Sequence, residues 1–320
     1  MAHLVETMAY VQEKPWHGLG NLLPPNQPME FWLSEAGMEW SIKESEVLFH
    51  VNGSKDCGFN IRSNPESKVL FRSDTLAPLS VVSKRYKVVQ PREVLEFYRS
   101  LVSAGGFELE TAGVLKGGRK LWALAKTGQE MMLKGNDQVK AYLLLATACD
   151  GTLATTAQFT SVRVVCNNTL QMATDNGSGA IKVPHSTKFN ADKVKQQLGL
   201  GVSTWQHFIA DMRRLSERPV NPFEARRYLV EVLGDPELPF HQQPNTKALN
   251  HVFSLYAGQG MGSTLASAND TAWGLVNAVT QFIDHERRAR SPDNRLDSAW
   301  FGIGALIKQK ALDEAIKLAA

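Results

Sequence analysis

The sequence predicts an α+β protein: an N-terminal antiparallel sheet region with a packed helix, followed by a mostly helical C-terminal region. Three observations carry this. Residues 41–180 alternate β-prone runs with short turns that contain Gly, Asp or Asn, as strands joined by hairpins do. From about residue 190 the apolar residues recur every three to four positions, which is helical spacing. Strands joined by such short turns pair antiparallel, because parallel neighbours need long crossovers, so a doubly wound sheet is not expected.

Residues 1–40 read as an irregular arm. Pro15, Pro24, Pro25 and Pro28, with Gly18 and Gly20, interrupt any long element. Trp16, Trp32 and Trp40 give this arm a large aromatic area, so it is expected to pack on its own core or on a neighbouring subunit, with Trp16 and His17 as the contact. Strands are expected at 41–51 and 69–72. Leu79–Ser83 and Tyr86–Val89 flank Lys84-Arg85 as a hairpin would. Pro91 suits a first helical position, and Val94, Leu95, Tyr98, Leu101 and Val102 form a stripe that stops at Gly105-Gly106. Strands resume at 107–115 and 120–126 around Gly117-Gly118. Another pair, 138–149 and 153–166, surrounds Asp150-Gly151, a strong hairpin signal.

The stretch Asn176–Gly179 then leads into helices. Leu198, Val202, Trp205, Ile209 and Met212 fall on one helical face as a core stripe. Further helices are predicted at 222–233, 245–257, 270–290 and 299–319, punctuated by Pro219, Pro222, Pro236, Pro239, Pro244 and Pro292. The expected organisation is an arm (1–40), a β-rich α+β domain (41–180) and a helical domain (190–320).

Composition narrows the function classes. The chain has 320 residues, 43% hydrophobic and 21% charged, the make-up of a folded protein rather than a disordered one. No apolar run approaches the roughly 18–20 residues that span a bilayer. The opening residues lack the basic head and apolar core of a signal peptide. Cys57, Cys149 and Cys166, with no C-x-x-C, fit a reducing compartment. A cytoplasmic protein without a membrane partner is therefore expected.

The net charge of +3 is unevenly spread. Residues 1–80 carry −4, residues 81–200 carry +7, and residues 201–320 are neutral. Positive residues bunch at Lys84, Arg85, Lys87 and Arg92, and again at Lys116, Arg119, Lys120 and Lys126. Aromatic residues interleave with them: Tyr86, Tyr98, Trp122, Tyr142 and Phe159. Cations follow a phosphate backbone and aromatic faces stack on bases, so this mixture suits a single strand. Basic residues on exposed strand faces also simply oppose edge pairing, and the same residues support that plainer reading.

Signatures of chemistry are absent from the sequence. No H-E-x-x-H, C-x-x-C, P-loop or G-x-S-x-G occurs, so no catalytic residue, metal ligand or cofactor is expected. Gly258–Thr264 is glycine-dense between two helices and reads as a flexible loop, with an anion cradle of backbone N–H groups as the lesser reading. Asp150, Asp175 and Glu110 are the carboxylates that a metal-dependent nuclease would have to bring together.

Several strings resemble one family. Pro15-Trp16-His17-Gly18-Leu19-Gly20 is similar to the opening signature of the phage- and plasmid-borne proteins grouped as domain of unknown function 932. Arg163-Val164-Val165-Cys166-Asn167-Asn168-Thr169-Leu170, preceded by Asp150-Gly151, resembles its central motif. Thr271-Ala272-Trp273-Gly274 through Asp284-His285, then Trp300-Phe301-Gly302-Ile303-Gly304, resembles its C-terminal signature. The resemblance spans essentially the whole chain and implies a mobile-element setting.

The leading expectation is a non-enzymatic single-stranded DNA binder, such as a strand-annealing protein that assembles into homo-oligomers. Its expected DNA contacts are Lys84, Arg85, Lys87, Lys116, Arg119, Lys120 and Arg163, with Tyr86 or Trp122 stacking. A protein-interaction or anti-defence module and a metal-dependent nuclease are the alternatives.

Overall fold

The computed structural model describes residues 5–11, 20–52, 59–165, 168–172, 180–198 and 202–320. Trp16, His17, Cys57, Cys166 and Asp175 lie outside them. The first 40 residues are more regular than their prolines suggest. They supply β1 (Val5–Val11), β2 (Asn21–Leu23) and α1 (Met29–Glu35), and Trp32 and Trp40 are buried in the chain's own core.

Next come β3 (Ile42–Asn52), β4 (Phe59–Arg72) and β5 (Pro78–Ser83), which make a separate antiparallel sheet in that order. The expected hairpin about Lys84-Arg85 does not form. β5 pairs with β4 instead, and residues 86–90 run as coil into α2 (Pro91–Gly105). Gln90 caps α2 and also bonds both backbone groups of Ile42, so the helix start is tied to the small sheet. Phe97 is buried where the sequence stripe had Val102, which is exposed.

The main sheet continues with β6 (Glu108–Leu115), a 3-10 turn (Lys116–Gly118), β7 (Lys120–Leu133), β8 (Asp137–Ala148), β9 (Thr155–Arg163), β10 (Asn168–Gln171) and β11 (Ala180–Val183). Its order is β10-β9-β8-β7-β6-β1-β2. The outer edge of β9 is covered end to end by β10 and β11. Every pairing is antiparallel except β1 with β2.

Both faces of the main sheet are covered, and side chains alternate between them. In β7, Leu121, Ala123 and Ala125 pack with α1, α2 and the small sheet, while Trp122 and Leu124 face the helical region. In β8, Leu143 and Leu145 go to the first side, Tyr142 and Leu144 to the second. This two-sided burial explains why these strands read as unbroken apolar runs. Tyr98 crosses the first layer and donates its hydroxyl to Ala123 O and Leu143 O.

The helical region comprises α3 (Ala191–Leu198), α4 (Val202–Glu217), α5 (Pro222–Leu233), α6 (Thr246–Ser254), α7 (Ala272–Gln281), α8 (Pro292–Phe301) and α9 (Ile303–Leu318). Trp205 and Met212 are buried, as the stripe requires. α6 and α7 each end in a wider π turn, at Leu255–Gln259 and Phe282–Glu286. Two expected helices, 270–290 and 299–319, become three. Pro292 is a first helical residue behind the Ser291 cap, so it starts α8 where a break was read. Gly302 then separates α8 from α9. One core cluster unites strand residues Trp122, Tyr142 and Leu170 with Met212, Leu229, Trp273 and Leu312 of the helices.

Candidate nucleic-acid interface and the buried motif network

The expected contact residues separate into two groups. Lys84, Arg85, Lys87 and Arg119 are exposed. Lys84 and Lys87 line an open groove of about 870 Å³ together with Lys68 and Lys188. Lys68 donates to Glu44 Oε1 at 2.7 Å and to Tyr86 O at 2.9 Å. Glu44 and Glu46 also line the groove, which is nonetheless net basic.

Tyr86 builds this wall rather than stacking freely. Its ring lies against His185 at 4.4 Å and 15°, and its hydroxyl donates to Ala148 O at 2.7 Å. Burial holds its phenol above the usual tyrosine range. The His185 ring nitrogens face the carbonyls of Lys87 and Leu153, and Lys87 N–H donates to His185 O. That clamp brings Lys188, about a hundred residues away in sequence, beside Lys84 and Lys87. No local feature of the sequence marks Lys188 as their neighbour.

The second group is withdrawn from the surface. Lys116 and Lys120 both bond the Asp297 carboxylate on α8, and Lys120 is buried over the Phe301 ring. Trp122 is buried completely and packs edge-on against Trp300, so no base can stack on it. Arg163 is buried as well, against the expectation of a phosphate contact. The positive residues of 84–126 and Arg163 therefore do not form one continuous track. Lys120 meets Asp297 of α8, Lys126 meets Glu110 of β6, and Arg163 meets Asp137 of β8.

Arg163 instead sits at the centre of a network that joins it to Trp273 of the C-terminal motif through Asp137. Its Nε donates to Asp137 Oδ1 at 2.7 Å, and Asp137 Oδ2 also accepts from Ser267 Oγ (2.6 Å) and Trp273 Nε1 (3.1 Å). The other guanidinium nitrogens donate to Met261 O and Gly262 O. The glycine-dense loop thus offers carbonyls to a buried cation, not N–H groups to an anion. Gly262, at φ +66°, has no room for a side chain: a Cβ would lie 2.7 Å from Val165.

A second knot lies beside the first. Lys308 Nζ donates to Asp284 Oδ1 (2.6 Å) and Thr169 Oγ1 (2.7 Å), and Thr169 N donates to Asp284 Oδ2 (2.8 Å). Burial pulls the Lys308 ammonium below the usual lysine range, opposed by Asp284. Asn168 Oδ1 meets His285 Nε2 at 3.1 Å, and Asn168 Nδ2 donates to Asn277 O. These motif side chains lock the sheet to the helices.

Of the nuclease carboxylates, Asp175 lies outside the described residues, and Glu110 and Asp150 make separate contacts. Glu110 pairs with Lys126, and Asp150 caps the turn at Thr152. Among the described residues no group of three or more His, Cys, Asp or Glu side chains could hold a metal. The Cys149 thiol is pushed up to about 12, first by burial and then by Asp150, which leaves it a poor nucleophile. Among the described residues no helix is long and apolar enough to cross a membrane.

No curated protein and no solved structure matches the chain. A family model described as Domain of unknown function (DUF932) matches residues 78–300. That span holds the central motif and most of the C-terminal one, the strings that supply Arg163, Asn168, Thr169, Trp273, Asp284 and His285 to the two knots. With more than half of its length matched, the chain belongs to this family.

Proposed function

We propose that the protein binds single-stranded DNA without chemistry of its own, as an annealing or related DNA-metabolism protein of mobile elements. The observation that carries this reading is the groove, where Lys84, Lys87 and Lys188 are exposed along one wall region. Arg85 and Arg119 are exposed cations outside it. Cations spaced along an open groove neutralise phosphates and leave bases free to pair.

Assembly belongs to the same reading. Beyond Val47 the β3–β4 hairpin exposes apolar residues on both faces: Leu48 (59%) and Ile61 (60%) on one, Phe49 (47%) and Val51 (41%) on the other. A two-stranded hairpin uncovered on both faces is marginal in water, and a second copy of this chain would cover it. The same patch supports the protein-interaction alternative, which predicts indifference to DNA.

Fluorescence anisotropy with a labelled oligothymidylate tests the proposal across a salt series. Binding should fall steeply with salt. Each neutralised phosphate contributes a slope of about 0.7 on single strands, so reversing Lys84, Lys87 and Lys188 to Glu should flatten it by about 2. Absence of binding at about 50 mM salt would reject the reading. Added divalent metal should leave the labelled strand intact; cleavage would favour the nuclease alternative.

A further inference from the structure

A cluster of four arginines falls in the segment that averages to zero charge. Arg287, Arg288, Arg290 and Arg295 lie within nine residues. On a continuous helix they would point in several directions. The π turn ends at Glu286, however, and Arg287 adopts an extended conformation (φ −56°, ψ 129°) before Ser291 caps α8. The bend folds all four side chains around one small cavity of about 290 Å³, which Asn294 and Ser298 also line.

The nearby carboxylates are committed elsewhere. Asp284 holds Lys308, Glu286 meets His251 and Gln281, and Asp297 holds Lys116 and Lys120. Asp293 is buried and does not line the cavity. Among the described residues none of the four guanidiniums is within ion-pairing distance of a carboxylate. Arg287 Nη1 and Arg295 Nε are buried donors with no hydrogen-bond partner, a costly state that a bound acceptor relieves. Arg295 is aimed by a bond from Nη1 to His285 O.

We infer that this cavity is a phosphate-binding site. Planar guanidinium forks match the oxygens of a phosphoryl group in bidentate fashion. Four like charges around one hollow repel each other, and a dianion reverses the sign of that interaction. The volume lies at the lower edge of small-molecule sites, room for a phosphoryl group and part of what carries it but not for a large organic ligand. The site is separate from the lysine groove and does not depend on it. Its phosphoryl group comes either from a strand terminus or from a small free phosphate.

Thermal shift and calorimetry on the full chain, with inorganic phosphate as the probe and chloride matched for ionic strength, test the site. Phosphate should raise Tm saturably where chloride does not. Arg288 and Arg290 are exposed, so Arg288→Gln/Arg290→Gln should keep the unliganded Tm while weakening phosphate at least about tenfold. Lys84→Glu/Lys87→Glu should retain the full phosphate response, which separates this site from the groove. Oligonucleotides with and without a 5′-phosphate assign the source. A preference for the phosphorylated end that vanishes in the Arg288→Gln/Arg290→Gln variant supports a strand terminus; equal affinity, with free phosphate still bound, supports a small phosphate. The inference fails if phosphate acts no differently from chloride, or if its effect survives in the Arg288→Gln/Arg290→Gln variant.

Discussion

Arg163 and Asp137 form an ion pair buried between the main sheet and the helical layer, with Nε and Oδ1 2.7 Å apart. The strand ends that carry them reach Ser267 and Trp273 of the helical region through the same carboxylate. Charge here is spent on joining layers, and the carboxylate is fully satisfied by three donors.

Removing one member of that pair should be severe. Arg163→Met leaves Asp137 buried beside neutral donors only, and the expected loss is about 3–5 kcal/mol. Chemical denaturation measures it. Arg163→Met/Asp137→Leu should recover part of that loss, because it removes the stranded charge.

The Lys308–Asp284 pair makes the same prediction at a second place. Lys308→Met should cost about 3–5 kcal/mol and leave Thr169 N–H and hydroxyl as the remaining donors to Asp284. If Lys308 instead served chemistry on DNA, the variant would keep its stability. Denaturation midpoints at fixed protein concentration distinguish the two.

Gly274 is tested by sterics. An added Cβ would lie 2.0 Å from Ala268 O, against the backbone that precedes α7. Gly274→Ala should therefore destabilise by at least about 1–3 kcal/mol, the usual cost of overpacking. A neutral result in thermal melts would contradict this close approach.

Asp74 predicts a pH dependence. Its hydrogen bond with Arg72 lowers the carboxyl from 3.8 to about 2. The folded value is depressed, so the pair's stabilisation is complete above 3.8 and drains away as pH falls through about 2. Asp74 is 42% exposed, so solvent screening limits the effect to no more than about 1 kcal/mol. The Tm gap between wild type and Asp74→Asn should be open at about pH 6 and close near about pH 2.

Local pattern alone carried much of the fold. The stripe about Tyr98, with Pro91 and Gly106 at its ends, marks α2, and the helix at 222–233 matches α5. Short turns between β-prone runs mark the antiparallel strands β6 to β9. These features depend on neighbours in sequence, where propensity and periodicity act. Burial of Trp122 is not among them: its place among cations suggests a stacking face, and only the packing of Trp300 against it shows that face to be covered.

Pairing between distant residues was not legible. Lys120 and Arg163 look like free surface cations until Asp297 and Asp137, 177 and 26 residues away, are folded against them. Lys188 joins Lys84 and Lys87 only through the His185 clamp, and the four arginines converge only because the helix ends at Glu286. A side chain's charge is written in the sequence, but its effect depends on what stands within a few ångströms. Long-range packing sets that distance, which no local window records.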